Sequence, residues 1–141
     1  MPNQYRASYE IKIGESEYTL RPTFEAIAEF QSKAGMGVFE GIASLEGQPN
    51  VVVVVSAILA GIKGEAIFQG DTSKVPSFEK LGQEVMNFGI NKVIFEAYAF
   101  LQRAITADDQ KKSLEEGLEK VKALALKMQT LGQGGGDSQA P

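Results

Sequence analysis

The residue types missing from this chain limit its chemistry more than those present. Histidine, cysteine and tryptophan are all absent from its 141 residues. Their absence removes the commonest general base, the thiolate nucleophile and the soft metal ligands, so Ser-His-Asp, Cys-His and His-containing zinc sites are excluded. The one nucleophile motif is Ser77-Phe78-Glu79-Lys80, the S-x-x-K spacing that sets a lysine one helical turn from a serine it activates. Its companion motifs S-D-N and K-T-G are missing. Ser77 also follows Pro76 where a helix N-cap belongs, so capping is the better account. The acidic pairs Asp108-Asp109 and Glu115-Glu116 are suited to a divalent ion or to acid and base roles. They are better explained by simple structural duties, the aspartates as first-turn acids facing a helix dipole and the glutamates as a solvated surface. No phosphate-cradling glycine motif follows a strand, and Gly134 to Gly136 have no helix after them. The residues therefore nominate no catalytic, cofactor-binding or metal-binding side chain, and no cofactor is expected.

Charge narrows the partners. The formal net charge is -4, and no stripe of Lys and Arg exists to neutralise phosphates. The longest basic cluster, Lys111 with Lys112, is bracketed by Asp108, Asp109, Glu115 and Glu116, so its field is cancelled within about one Debye length. It reads as a solvated helix face. With 43% hydrophobic and 23% charged residues the composition is that of a folded chain able to bury one core. The lack of cysteine fits a reducing, cytoplasmic compartment. Met1 to Arg6 is polar, without the apolar stretch of a secretory signal. The longest apolar run, Val51 to Ile62, falls short of the roughly 20 residues that span a bilayer. Neither nucleic acid nor membrane is an expected partner.

The elements that would position any site follow from hydrophobic period. Tyr9, Ile11 and Ile13 alternate with polar residues, and after Gly14, Glu15 and Ser16 the alternation resumes at Tyr18 and Leu20, which predicts a β-hairpin within residues 7–21. Pro22 ends it, Thr23 caps a helix from Phe24 to Ala34 carrying Phe24, Ile27, Ala28 and Phe30, and Gly35 and Gly37 mark its end. Val38 to Leu45 predicts a short helix with Phe39, Ile42 and Leu45 inward. Val51 to Val55 is rich in β-branched residues and suits either a strand or a helix. Valine costs about 0.5 kcal/mol in a helix while its burial returns about 1.5 kcal/mol, so the run from Val51 to Ile62 is read as a buried helix closed by Lys63 and Gly64. Glu65 to Val75 reads as an exposed excursion with an extended piece at Ala66 to Gln69. Helices follow at Phe78 to Asn87 and from Ile90 or Asn91 to Ala104, the latter with Val93, Ile94, Ala97, Tyr98 and Leu101 inward.

Thr106 and Asp109 form the start signal of a last helix ending near Leu131. Its Leu114, Leu118, Val121, Ala125 and Met128 recur at alternating spacings of four and three, a stripe suited to its own domain or to a partner helix. Gly132 to Pro141 reads as a flexible tail. The expected fold is α+β and mainly α: one domain over residues 1–131, with an N-terminal hairpin on a bundle of about five helices and a disordered end.

The string from Tyr9 through Tyr18, Thr19 and Leu20, then Phe24, Ala26, Ile27 and Phe30, then the Gly35 and Gly37 turn and the apolar helix ending Ala60-Gly61, resembles the tail assembly chaperones of tailed phages, prophages and gene transfer agents. The likeness covers roughly residues 5–64. It implies a non-enzymatic role in virion assembly in the bacterial cytoplasm: binding the long tape-measure protein, keeping its helices soluble and recruiting tail-tube subunits. It also implies, for many members, a longer product made by ribosomal frameshifting. The alternative is a structural component such as a tail-tube or tail adaptor protein, and less favoured still is a small enzyme built on Ser77 and Lys80. Homo-oligomerisation is left open.

Overall fold

The alternation from Tyr9 to Leu20 folds as a hairpin because one face of each strand is apolar. In the computed structural model, which describes residues 8–139, β1 (Tyr9–Ile13) pairs antiparallel with β2 (Ser16–Leu20), Tyr9 opposite Leu20 and Ile13 opposite Ser16. The expected polar opening Met1 to Arg6, the first hairpin residue Ala7, and Ala140 and Pro141 of the tail lie outside the described residues. Ser16 belongs to β2, so the turn is the two residues Gly14 and Glu15, and Gly14 takes the positive φ of 64° that such turns demand. Ile11, Ile13 and Leu20 are buried.

Six α-helices follow: α1 (Phe24–Ala34), α2 (Val38–Glu46), α3 (Val51–Gln69), α4 (Phe78–Phe88), α5 (Ile90–Ile105) and α6 (Lys111–Gln139), with a 3-10 turn at Asp108–Gln110 ahead of the last. The class is α+β, mainly α. Thr23 Oγ1 accepts from Ala26 N at 3.1 Å to start α1, and Gly35 closes it in the left-handed region. The face α1 buries is Ala26 and Phe30 with Ile27 beside them, while Phe24 is 78% exposed and Ala28 faces solvent. In α2 the inward residues are Val38, Gly41, Ile42 and Leu45, and Phe39, expected inside, is 71% exposed. Both phenylalanines lie about 100° or more round the helix from the face it buries, Phe39 directly after the buried Val38, so they point away from the core.

The whole fold is arranged around α3. Every residue from Val53 to Ile62 is buried, so this helix is apolar all round, as a core helix must be. Asn50 Oδ1 caps its start from Val52 N at 2.7 Å, and only Val51 and Val52 of the valine run remain exposed. By length and composition α3 also passes for a membrane span, yet α1, α2, α4, α5 and β2 pack around it.

The expected end at Lys63 and Gly64 is wrong by more than a turn, and the extended piece at Ala66 to Gln69 is helix. Gly70, at φ 77°, is the true cap. Gly64 has a different duty. A Cβ there would lie 2.4 Å from the Arg21 carbonyl oxygen and 3.0 Å from Ala26 Cβ, so the missing side chain lets the chain between β2 and α1 lie against the helix. Gly61 does the same for Leu20 and Phe100, each 2.9 Å from its would-be Cβ, and its carbonyl accepts a bond from Arg21 N at 3.0 Å. Lys63, expected to face its own helix end, instead reaches Glu29 of α1 at 2.5 Å.

Further differences cluster at the α5–α6 junction. Thr106 is the C-cap of α5, donating from Oγ1 to Gln102 O at 2.6 Å, and does not start α6. Asp109 lies in the 3-10 turn before it. Lys111, read as solvated, is fully buried, and its Nζ donates to Arg103 O at 2.9 Å. The last carbonyls of a helix lack intrahelical donors, and a lysine returning across them supplies one. At its far end α6 runs to Gln139, past the expected end near Leu131.

The hairpin is fastened to α4 through Glu84. Ser16 Oγ donates to its Oε2 at 2.5 Å, and the Tyr18 hydroxyl donates to its Oε1. Burial works against the Glu84 charge, but the two hydroxyls outweigh it and hold the carboxyl below its usual range. Desolvation, then the hydrogen bond to Glu84, push Tyr18 up to about 12.

Gly64→Ala lowers stability to chemical denaturation by about 2 kcal/mol or more, since a backbone oxygen cannot step aside. Gly82→Ala, at an open position of α4, raises it by about 0.5–1 kcal/mol. Glu84→Ala costs about 1 kcal/mol at neutral pH. Because the folded carboxyl titrates below its unfolded value, that contribution is present above the unfolded value and lost as pH falls through the folded one. The stability gap between wild type and Glu84→Ala therefore closes on acidification, and a gap that does not change between pH 7 and pH 3 contradicts the assignment.

Candidate partner-binding surface

The stripe on α6 that the sequence offers to a partner is split by the way α6 docks. Arg103 meets Glu115 and, seven residues earlier on α5, Glu96 meets Lys122 seven residues later on α6, so the two helices run antiparallel. Leu118 is buried in this seam and Leu114 half-buried. Val121 is 45% exposed, as are Leu124 and Leu126 beyond it, at 58% and 56%. The side chains of Ala125 and Met128 lie outside the described residues.

The seam is polar at its base. The Arg103 guanidinium grips Glu115 with two bonds, Nε to Oε1 at 3.0 Å and Nη2 to Oε2 at 3.2 Å. Its other side covers the Tyr9 ring of β1, 4.3 Å from the centroid. Burial opposes the Arg103 charge, and the Glu115 carboxylate outweighs it. Burial likewise drives the Tyr9 hydroxyl well above its ordinary range, with Arg103 pulling the other way. This ties three elements, β1, α5 and α6, at one point.

Two recesses flank α6. One, of about 400 Å³, lies over α5 between α2 and α6, lined by Leu45, Glu46, Asn91, Ile94, Phe95, Tyr98 and Val121. The Tyr98 hydroxyl donates to Glu46 Oε2 at 3.3 Å across its edge and receives a bond from Gln102 at 3.1 Å. The other, of about 340 Å³, lies toward β1 among Tyr9, Glu10, Phe95, Glu96, Arg103, Glu115, Leu118, Glu119 and Lys122. Phe95 belongs to both, with Lys122 Nζ 5.8 Å from its ring centroid.

Ile94 and Tyr98, expected in the core, pack against it half-buried and also floor the first recess. Leu45 and Glu46 of α2 and Asn91 and Phe95 of α5 carry no sequence motif for this role. The signal available was width: α5 is apolar over Ile94, Phe95 and Tyr98 as well as over the Val93, Ala97, Phe100 and Leu101 face, more than one neighbour can cover.

The chemistry-bearing motifs are placed apart from both recesses. Ser77 Oγ accepts from Lys80 N at 3.1 Å as the cap of α4, and both side chains are exposed. Glu115 is spent on Arg103, and among the described residues no three carboxylates gather as a metal would need. No protein-family model, curated protein or solved structure matches the chain.

Glu115→Ala tests the seam. It should raise amide exchange in the first turns of α6 by about tenfold, the loss expected from a charge-assisted pair worth about 1.4 kcal/mol, while α3 amides keep their protection. Equal loss in α3 would mean that α6 does not open by itself.

Proposed function

We propose that the chain is a non-enzymatic tail assembly chaperone that binds the tape-measure protein of a phage, prophage or gene transfer agent in the bacterial cytoplasm and helps recruit tail-tube subunits. The observation that carries this reading is the trough between α2 and α6, where Leu45, Ile94, Phe95 and Val121 leave apolar surface open beside the exposed Leu124. A helical tape-measure segment buries an apolar stripe of its own in such a trough, the helix-in-groove mode of recognition. The resemblance over the hairpin, α1 and the first part of α3 supports the same role, because these elements build the scaffold that α5 and α6 lean on. A tube-forming subunit would need strands that pair around a ring, whereas the described strands, β1 and β2, pair with each other.

Co-expression with a long helical tape-measure protein tests the proposal. The two should co-purify, and Val121→Asp should lose the partner while its circular dichroism spectrum stays unchanged. The absence of a complex at micromolar concentrations of both proteins would remove the assignment.

A further inference from the structure

The turn from α5 into α6 is set by one residue. Thr106 is extended, at φ -87° and ψ 133°, between the helical Ile105 and the 3-10 turn at Asp108–Gln110. The linker from Thr106 to Gln110 has neither glycine nor proline, so each of its residues accepts a helix. Asp108 and Asp109 suit a helix start better than a helix interior, which favours the turn. Among the described residues the Arg103 carbonyl receives no bond from the Ala107 N–H, as it would in a continuing helix, and Lys111 Nζ donates there instead at 2.9 Å. What α6 adds is also separable from the core. Leu118 is buried yet stands apart from the apolar core around α3, and the other ties of the seam include the half-buried Leu114 and the pairs Arg103–Glu115 and Glu96–Lys122.

We infer that α5 and α6 join into one helix through this linker and that α6 then exchanges with the α6 of a second copy of the chain. When Thr106 turns helical, the Ala107 N–H takes the place of Lys111 on the Arg103 carbonyl, so no buried acceptor is orphaned. Straightening carries α6 off its own α5. Arg103 and Glu115, 12 residues apart, would stand about 18 Å apart along a continuous helix, and Glu96 and Lys122 about 39 Å. Neither pair forms within one straightened chain, and Leu118 loses its cover. The α6 of a second straightened copy fits the vacated seat contact for contact, because it is the same helix. Both ion pairs and the burial of Leu118 return, so the exchange costs association entropy and the altered turn without a lost interface. The trough at Val121 is rebuilt with one wall from the second copy, so the exchange does not depend on which protein the trough receives.

The chain has no cysteine, so introduced cysteines report the exchange. Full-length Glu96→Cys and Lys122→Cys chains are mixed at high concentration in native buffer with a short bis-maleimide, and cross-linked heterodimer is followed on a denaturing gel. The two native side chains meet across the α5–α6 seam, at 3.9 Å, so a link between different chains requires that α6 has changed hosts. Heterodimer should form about tenfold faster than from Lys122→Cys mixed with Glu79→Cys, an exposed position on α4, because the exchanged seat holds its two thiols together. Ala107→Pro suits the turn, since the extended Thr106 has the conformation that a following proline prefers, and it bars the continuous helix. Placed in both chains, it should slow the seam cross-link about tenfold or more with an unchanged circular dichroism spectrum. Cross-linking no faster than the α4 control overturns the inference, whatever Ala107→Pro does. So does a dimer on size exclusion that yields no seam cross-link, in which each α6 stays with its own α5. Seam cross-linking undiminished by Ala107→Pro overturns it as well, because exchange would then not run through a straightened linker.

Discussion

The structure depends on α3 being enclosed on every side by neighbours that come unusually near its axis. A helix apolar all round cannot rest against a single surface, and here the hairpin, α1, α2, α4 and α5 share the task. The approach is closest where Gly61 and Gly64 remove side chains, so that Leu20, Phe100 and the Arg21 carbonyl fill the space. Gly41 of α2 admits the Phe30 ring in the same manner, its would-be Cβ 2.6 Å from Phe30 Cζ. The apolar burial gives the driving force, and these glycines fix which faces meet.

With α3 enclosed, α5 is left with more apolar surface than the core consumes. Val93, Ala97, Phe100 and Leu101 are buried, whereas Ile94, Phe95 and Tyr98 are only partly covered by α2 and α6. The polar knot of Arg103, Glu115 and Tyr9 holds the start of α6 against α5, and Lys111 caps α5 beneath it. Farther along α6 the contacts thin to Lys122 and Glu96, and the trough opens there. The proposed chaperone role uses this remainder: surface too apolar to be indifferent to a partner helix, on a frame rigid enough to present it.

Much of this was readable from residue order. The hairpin and α1, with Thr23 and Gly35 at its ends, follow from period and capping, because those signals act within a few residues, while the helical state of the valine run follows from weighing helix propensity against burial. What failed was tertiary. Gly64 looks like a stop signal in sequence and is a contact point in space. Lys111 looks solvated among its charged neighbours, but the chain folds it under the end of α5. Phe24 and Phe39 have the right type for a core and the wrong phase. The α6 stripe was legible as apolar spacing, but not its division by α5 into a covered part at Leu118 and an open part at Val121. The trough itself was not legible, since its floor and two walls come from three helices with no shared motif.

The claim at the centre of this account is that the partner enters between α2 and α6. Hydrogen exchange of the full chain, alone and with the tape-measure protein, tests it most directly. The account predicts added protection in the last turn of α2, in α5 from Asn91 to Tyr98 and in α6 around Val121, with the hairpin unchanged. Protection confined to the hairpin and the exposed Phe24 end of α1, with those segments of α2, α5 and α6 exchanging as before, would contradict it.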